Sequence, residues 1–282
     1  MKKFEKYLND HLHILRRMMQ VGTVLFIIAV PLLNKIGYHG VNGTFYSLSI
    51  GELNIVDPAL ALQTILLTKS IYLPLILAIV LPILLAMFLG KVFCSWMCPY
   101  NFLAEFTEKF RKLIKPVEKQ KNTNPSPQYY WIIFGIILVL LMITGIPVIT
   151  LISMPGLITS QIADGILYNV VGIEILLIAL LLILEVFVAP RFWCKYACPV
   201  GATLSLVKTK YALKIKYSAK SCAECKEIKE NPCNQVCPLQ LNPKSVKIYP
   251  YCNNCFECIT TCNDVGCRAL KITFQPLKTN KP

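Results

Sequence analysis

Eight cysteines near the C-terminus are spaced for iron rather than for disulfides. Cys222-x2-Cys225-x7-Cys233-x3-Cys237-Pro238 is followed by Cys252-x2-Cys255-x2-Cys258-x3-Cys262. Four sulfurs compressed into C-x2-C-x2-C-x3-C suit a polynuclear cluster. Two such runs in series are the ligand order of a two-cluster domain, in which the fourth cysteine of each run crosses to the other cluster. On that order Cys222, Cys225, Cys233 and Cys262 hold one [4Fe-4S] cluster, and Cys252, Cys255, Cys258 and Cys237 hold the second. A pair of four-cysteine zinc ribbons is the competing reading, because C-x2-C pairs alone permit it; the compactness of the second run and Pro238 favour iron. Two departures stand out. The x7 spacer carries Asn231-Pro232, and Cys262 is followed by Asn263 instead of proline, but neither removes a ligand. Cys267 reads as a spare thiol near the cluster rather than as an alternative fourth ligand.

Four further cysteines form an internal repeat. Phe93-Cys94-Ser-Trp-Met-Cys98-Pro99 has its counterpart in Trp193-Cys194-Lys-Tyr-Ala-Cys198-Pro199, so C-x3-C-P occurs twice. On a helix, residues four apart share a face, and a nearby helix N-terminus would lower the thiol pKa. The following proline, however, favours an extended backbone at Cys98 and Cys198. Cys94, Cys98, Cys194 and Cys198 therefore read as one redox unit between the membrane interior and the C-terminal clusters, either a bound metal centre or a thiol-disulfide relay. The alternative is that small cysteines merely pack helix ends.

The elements that must position these groups are apolar. The chain has 282 residues, of which 55% are hydrophobic and 16% charged, and its mean hydropathy of +0.54 is too high for a soluble globular domain. Four windows are long enough to span a bilayer, at about 20 residues each: residues 18–33, 71–90, 129–149 and 166–188. No small-x-small cleavage site follows the first, so it reads as a retained span. Arg16 and Arg17 before it are expected to snorkel to headgroups. Lys and Arg number 5 before the first span, 2 between the first and second, 7 between the second and third, none between the third and fourth, and 15 beyond. The positive-inside rule then places both termini and the middle loop in the cytoplasm, and residues 34–70 and 150–165 outside. That bias accounts for the net charge of +14 without nucleic acid. The expected architecture is membrane α-helical, with four transmembrane helices in two parallel repeats over residues 1–210. A cytoplasmic ferredoxin-like α+β domain with two [4Fe-4S] clusters follows over residues 211–282. Asp57-Pro58 marks the start of a short helix expected to lie in the outer interface.

Carboxylates within a span suggest a proton path. Glu185, near the cytoplasmic end of the fourth window, is a candidate acceptor of a proton from quinol; snorkelling or pairing with Arg191 is the alternative. Glu174 lies deeper and has no evident partner. His11 and His13 read as solvated juxtamembrane residues rather than proton acceptors, and the absence of C-x2-C-H argues against covalent haem.

Read in order, Leu15-Arg-Arg-Met-Met-Gln20, Asp57-Pro58 with Leu62-Gln63, Phe93 to Pro99, Trp193 to Ala202 and the paired cluster runs resemble NapH-type membrane ferredoxins along nearly the whole chain. The resemblance implies an inner-membrane quinol dehydrogenase subunit. It would take electrons from the quinone pool and pass them to a periplasmic iron-sulfur subunit and a terminal reductase, nitrate reductase foremost. An assembly or maturation factor acting as a metal or thiol reductase and a zinc-stapled membrane scaffold are the alternatives.

Overall fold

The computed structural model describes residues 2–114, 125–187, 190–218, 235–245, 248–266 and 269–274. Helix α1 runs from Lys2 to Lys35 and leads into a small antiparallel sheet, β1 (Val41–Gly43), β2 (Ser47–Ile50) and β3 (Leu53–Val56). The remaining chain is largely helical. Helices α2 (Pro58–Thr68), α3 (Leu73–Leu89), α4 (Val92–Trp96) and α5 (Pro99–Ile114) make up a first series. After α6 (Pro127–Thr144) and α7 (Val148–Ile152) comes a parallel series: α8 (Met154–Leu167), α9 (Glu174–Phe187), a π-helical turn (Trp193–Ala197) and α10 (Pro199–Val207). The two series cross over: α5 packs on α8 and α9, while α10 packs on α2 and α3. Strands β4 (Lys214–Tyr217) and β5 (Leu270–Thr273) pair antiparallel, Ile215 opposite Ile272, and flank helix α11 (Glu257–Asp264).

Among the described residues, two helical stretches, Leu12–Lys35 and Pro127–Thr144, are long and apolar enough to cross a membrane. The shorter α3, with 17 residues, is apolar throughout, has a proline near its N-terminus and ends at Gly90 with φ 66°, a positive-φ conformation that glycine adopts at no steric cost. Hydropathy alone misplaces the other boundaries. The third window ends early, at Thr144, because Gly145 caps α6 in the left-handed conformation. The fourth window breaks after Leu167: Asn169 takes a φ of 53°, and α9 begins only at Glu174. Val170, Val171 and Ile173 between them remain exposed, so apolar character continues where the helix does not.

The segments expected to face outward turn back into the protein. Asp57 caps α2 as its sequence predicts, accepting from the Ala59 amide at 3.0 Å, and the helix packs against α3, α6, α7 and α10. Ala59 and Ala61 are fully packed, and Gln63 is held by two hydrogen bonds to Thr150. Small residues let α2 approach its neighbours closely enough for packing to replace lipid contact. Most of residues 150–165, read as an outer loop, fall in α8 (Met154–Leu167), packed on α1, α5 and α9.

One hydrophobic core crosses the junction near residue 210. Leu12 of α1, Tyr130 and Phe134 of α6 and Ala202 of α10 join Ile215, Ile248, Tyr251 and Ile259 of the C-terminal part. Burial of several aromatic side chains in one cluster fixes the two parts against each other.

Candidate metal centres

Each C-x3-C-P folds as a short helical turn followed by an extended residue. Cys94 lies in α4 and Cys194 in the π-helical turn, whereas Cys198 takes φ −68° and ψ 114° and directly precedes α10. Cys98 likewise directly precedes α5. The proline fixes this break, since it disfavours a helical residue before it while suiting the first position of the next helix. As a result the backbone amides of Tyr100 and Asn101 face the Cys98 thiol, and those of Val200 and Gly201 the Cys198 thiol.

All four cysteines line one cavity, closed by Phe93, Tyr100, Met154, Trp193 and Leu239 among others. The N-terminal ends of α5, α10 and α8 meet there, and Asp57, the cap of α2, lies within electrostatic reach of Cys94 and Cys198. Helix N-termini carry partial positive charge suited to an anion. Two buried cations add to it. Lys91 donates to the Tyr130 hydroxyl at 2.7 Å and the Pro250 carbonyl at 2.9 Å, and Arg191 donates to Asn101 and pairs with Glu108 at 3.4 Å. Each stands three residues before the first cysteine of its motif, and each is 3% exposed.

The chemistry of this donor set suits a polynuclear iron-sulfur centre. Burial pushes all four thiols up, Cys98 to about 12, and this outweighs the helix N-termini expected to lower them. Burial thus favours the protonated form of a free thiol here. The positive charge of bound metal would instead hold it as thiolate. The Tyr100 hydroxyl, Ser153 hydroxyl and Trp193 indole N–H are buried at or beside this cavity without hydrogen-bond partners, donors that an anionic cluster would satisfy. Among the described residues, no group of three or more His, Cys, Asp or Glu side chains converges as the ligands of one ion would.

A second cavity adjoins the first. Cys237, Cys252, Cys255 and Cys258 line it together with Leu241, Ile248 and others, the set that crossed ligation groups together. Burial pushes Cys237 to about 11 and Cys255 to about 12, and the Leu241 amide donates to the Cys237 sulfur at 3.3 Å. Leu239 and Asn253 form part of both cavities. The shared wall is pinned to the α3–α4 junction: Ser95 donates to the Asn253 carbonyl at 2.8 Å, and Asn254 donates to Leu89 and Leu213 carbonyls at 3.1 Å. Cys262 is fully buried on α11 and does not line this cavity. Cys222, Cys225, Cys233 and Cys267 lie outside the described residues.

Glu185 is 4% exposed. Neither carboxylate oxygen makes a hydrogen bond of ordinary geometry, and its polar neighbours are the Tyr100 hydroxyl, the Trp193 amide and the Arg191 guanidinium. Arg191 is engaged by Asn101 and Glu108 rather than paired with it. Glu174 has a partner after all, Gln161, whose Nε2 donates to it at 3.1 Å; it opens α9 rather than lying deep within a span.

The residue that sequence reading missed is Glu105. It accepts from Arg17 at 2.7 Å and Gln20 at 2.8 Å, pairs with Arg16 at 3.3 Å and accepts from Asn101 at 3.2 Å. Arg16 also pairs with Glu257 of α11. Arg16 is thus 6% exposed and paired within the protein, not snorkelling to headgroups, whereas Arg17 is partly exposed.

The family model described as "4Fe-4S binding domain" matches residues 71–117 and 171–217. Both matches fall on the repeated series that ends in C-x3-C-P, displaced from each other by 100 positions, and neither covers the C-terminal cysteine runs. An uncharacterized protein of Methanocaldococcus jannaschii is 31% identical over 190 residues, 67% of this chain and 75% of its own; of a second protein from that organism the chain spans 65% of the length. The "Methylamine utilization ferredoxin-type protein MauN" of Methylobacillus flagellatus is 26% identical over 235 residues, 79% of this chain and 74% of that one. The "Ferredoxin-type protein NapH" of Escherichia coli is 24% identical over 260 residues, 89% and 86% of the two chains. No solved structure matches.

Proposed function

The chain belongs to the NapH-like family of membrane ferredoxins, and on that premise we propose that it carries electrons from quinol across the inner membrane to a periplasmic iron-sulfur subunit. The observation that carries this reading is the shared wall of Leu239 and Asn253 between two cavities, each lined by four cysteines. Cys94, Cys98, Cys194 and Cys198 would hold one [4Fe-4S] cluster, Cys237, Cys252, Cys255 and Cys258 a second, and Cys222, Cys225, Cys233 and Cys262 a third. Bound clusters supply one-electron transfer.

The chain's own residues then have distinct tasks. Lys91 and Arg191 offset the negative charge of the membrane-side thiolates, and Tyr100, Ser153 and Trp193 offer hydrogen bonds to what the cavity holds. Such charge and hydrogen bonds are the levers by which a protein sets cluster potential. Glu185, sealed beside Tyr100, is the internal proton-accepting group.

Four spans, α1, α3, α6 and α9, with both termini and the C-terminal clusters cytoplasmic, follow from the Lys and Arg distribution, with 27 of 29 in inner segments. Helix α9 rises only about 21 Å, and the exposed apolar residues before it extend its reach through hydrocarbon. In this topology the four-cysteine membrane centre lies between the cytoplasmic clusters and the segments that come from outside, since Met154 and Pro155 line it and the Phe45 ring packs tilted against Phe93, centroids 5.7 Å apart. That order leads electrons outward. It differs from the sequence expectation, which put this centre ahead of the ferredoxin clusters, and it gives cytoplasmic clusters a route to an external acceptor. The terminal reductase is nitrate reductase by resemblance; a relative named for methylamine utilization bears on the acceptor, not on the relay.

Anaerobically purified full-length protein should contain iron and acid-labile sulfide in equal amounts, about four of each per cluster. A reduced naphthoquinol should develop its electron paramagnetic resonance signals. Zinc in place of iron would establish the scaffold instead, and clusters reducible by dithionite but never by quinol would favour an assembly role.

A further inference from the structure

Lys91 is a buried ammonium without a counter-ion. It follows Gly90 at the end of α3, is 3% exposed, and borders the cavity of Cys94, Cys98, Cys194 and Cys198. Both of its hydrogen-bond acceptors are neutral, the Tyr130 hydroxyl at 2.7 Å and the Pro250 carbonyl at 2.9 Å. An ammonium carries three N–H donors, so one remains unused. Arg191, at the same place in the second repeat, differs, because Glu108 pairs with it at 3.4 Å. Among the described residues Lys91 pairs with no carboxylate. A positive charge held out of water is costly unless an anion faces it.

The position of the ammonium identifies that anion. It is within electrostatic reach of Cys94 and Cys198 on one side and of Cys252 on the other, and the carbonyl it holds, that of Pro250, lies two residues before Cys252. Gly201 in the first turn of α10 makes room for it: a Cβ there would come within 3.3 Å of Lys91 Cε and of the Tyr130 hydroxyl. A second lysine provides the contrast. Lys208 Nζ is also buried without a hydrogen-bond partner, 3.7 Å from the centroid of the Tyr249 ring, and its cysteine neighbour is Cys252. Lys208 thus faces the second quartet, whereas Lys91 faces both.

We propose that Lys91 is the common counter-ion of two clusters and sets the potentials of both. The inference rests on the reading above that each quartet holds a [4Fe-4S] cluster. Such a centre gains one negative charge when it is reduced, so a nearby cation favours the reduced form and raises the potential. A cation serving one cluster alone would deepen that site as an electron trap; a shared one raises the two together. One electron then crosses the wall of Leu239 and Asn253 from cluster to cluster. No bond is made or broken, and Lys91 keeps its proton throughout.

The test is an anaerobic redox titration of full-length protein in lipid nanodiscs, followed by electron paramagnetic resonance, with iron counted on the same samples. The membrane-side signal is identified as the one lost in Cys98→Ser. Lys91→Met keeps the apolar stem and removes the charge. Reduction of both clusters should become at least about tenfold less favourable, a fall of about 59 mV in each one-electron potential, at unchanged iron content. Lys91→Arg should keep both potentials near those of the wild type, and Lys208→Met should lower only that of the cluster held by Cys237, Cys252, Cys255 and Cys258. Should Lys91→Met lose iron, Lys91→Gln, which retains a hydrogen-bond donor, makes the same comparison. A charge-removing variant with intact iron that shifts one potential or neither would overturn the shared counter-ion and leave the cluster reading standing. A wild type without iron-sulfur signals would overturn both.

Discussion

Cys98→Ser, and equally Cys198→Ser, is expected to remove one of three clusters while leaving two. Iron should fall from about twelve to about eight atoms per chain, four per lost cluster. Quinol should still reduce the remaining cytoplasmic clusters, because the lost centre lies beyond them on the outward path. Delivery of electrons to a periplasmic acceptor should cease. Serine is close to cysteine in size, so the buried site, where Cys98 is 9% exposed, keeps its packing and loses only a soft ligand. A thiol-disulfide relay predicts a different outcome, with unchanged iron in each variant, and packing cysteines predict unchanged iron and unchanged transfer. Metal analysis and an outward-transfer assay on the same preparations distinguish all three.

The second large effect concerns Glu105, which compensates a cluster of buried cations. Glu105→Ala would leave Arg16, with a side chain 7% exposed, short of one of its two anionic partners, and would strip Arg17, Gln20 and Asn101 of their common acceptor. Removing one partner of a buried pair costs about 3 to 5 kcal/mol, and thermal unfolding followed by loss of cluster absorbance should show a correspondingly large drop. Glu105→Gln retains the acceptor oxygen and should fall between. The pH dependence has a definite sign. Burial opposes the charged form, but Arg16 and the Gln20 amide prevail and hold the Glu105 carboxyl below its ordinary value of 4.5. A depressed carboxylate stabilises the fold fully above that ordinary value and loses its contribution as pH falls through the lower folded one. The stability difference between wild type and Glu105→Gln should therefore narrow only in acid, below about pH 4.5.

Cysteine spacing was the most legible feature of this chain because a cluster's ligands are local in sequence. The grouping of Cys237 with Cys252, Cys255 and Cys258 around one cavity and the kinship of the two C-x3-C-P motifs could both be written down from the sequence. The sequence also grouped the four cysteines of those motifs as one unit, but it did not show how they meet, since that depends on α5 and α10 crossing to the opposite series, a long-range packing outcome. Lys91 and Arg191 were legible in principle. They occupy the same offset before Cys94 and Cys194, and a comparison of the repeats that looked past cysteine would have found them. Glu105 gave no such signal, because an acidic residue on an amphipathic helix reads as solvated until Arg16 and Gln20 are seen to face it. Helix boundaries failed where apolar residues occur without helical geometry, as between Asn169 and Ile173. The packing of α2 and α8 against other helices was illegible for a related reason: hydropathy measures how apolar a segment is, not whether lipid or protein covers it.

On the proposed function, the two cysteine quartets separated by the wall of Leu239 and Asn253 hold clusters in electronic contact. The most direct measurement is the electron paramagnetic resonance spectrum of the fully dithionite-reduced protein, recorded beside that of Cys98→Ser. Neighbouring paramagnetic clusters interact, so the wild type should show broadened and split features that no sum of isolated cluster spectra reproduces, and the part of that interaction due to the membrane-side centre should vanish in Cys98→Ser. A wild-type spectrum identical in shape and intensity to that of Cys98→Ser would mean that the membrane-side quartet holds no cluster coupled to the others.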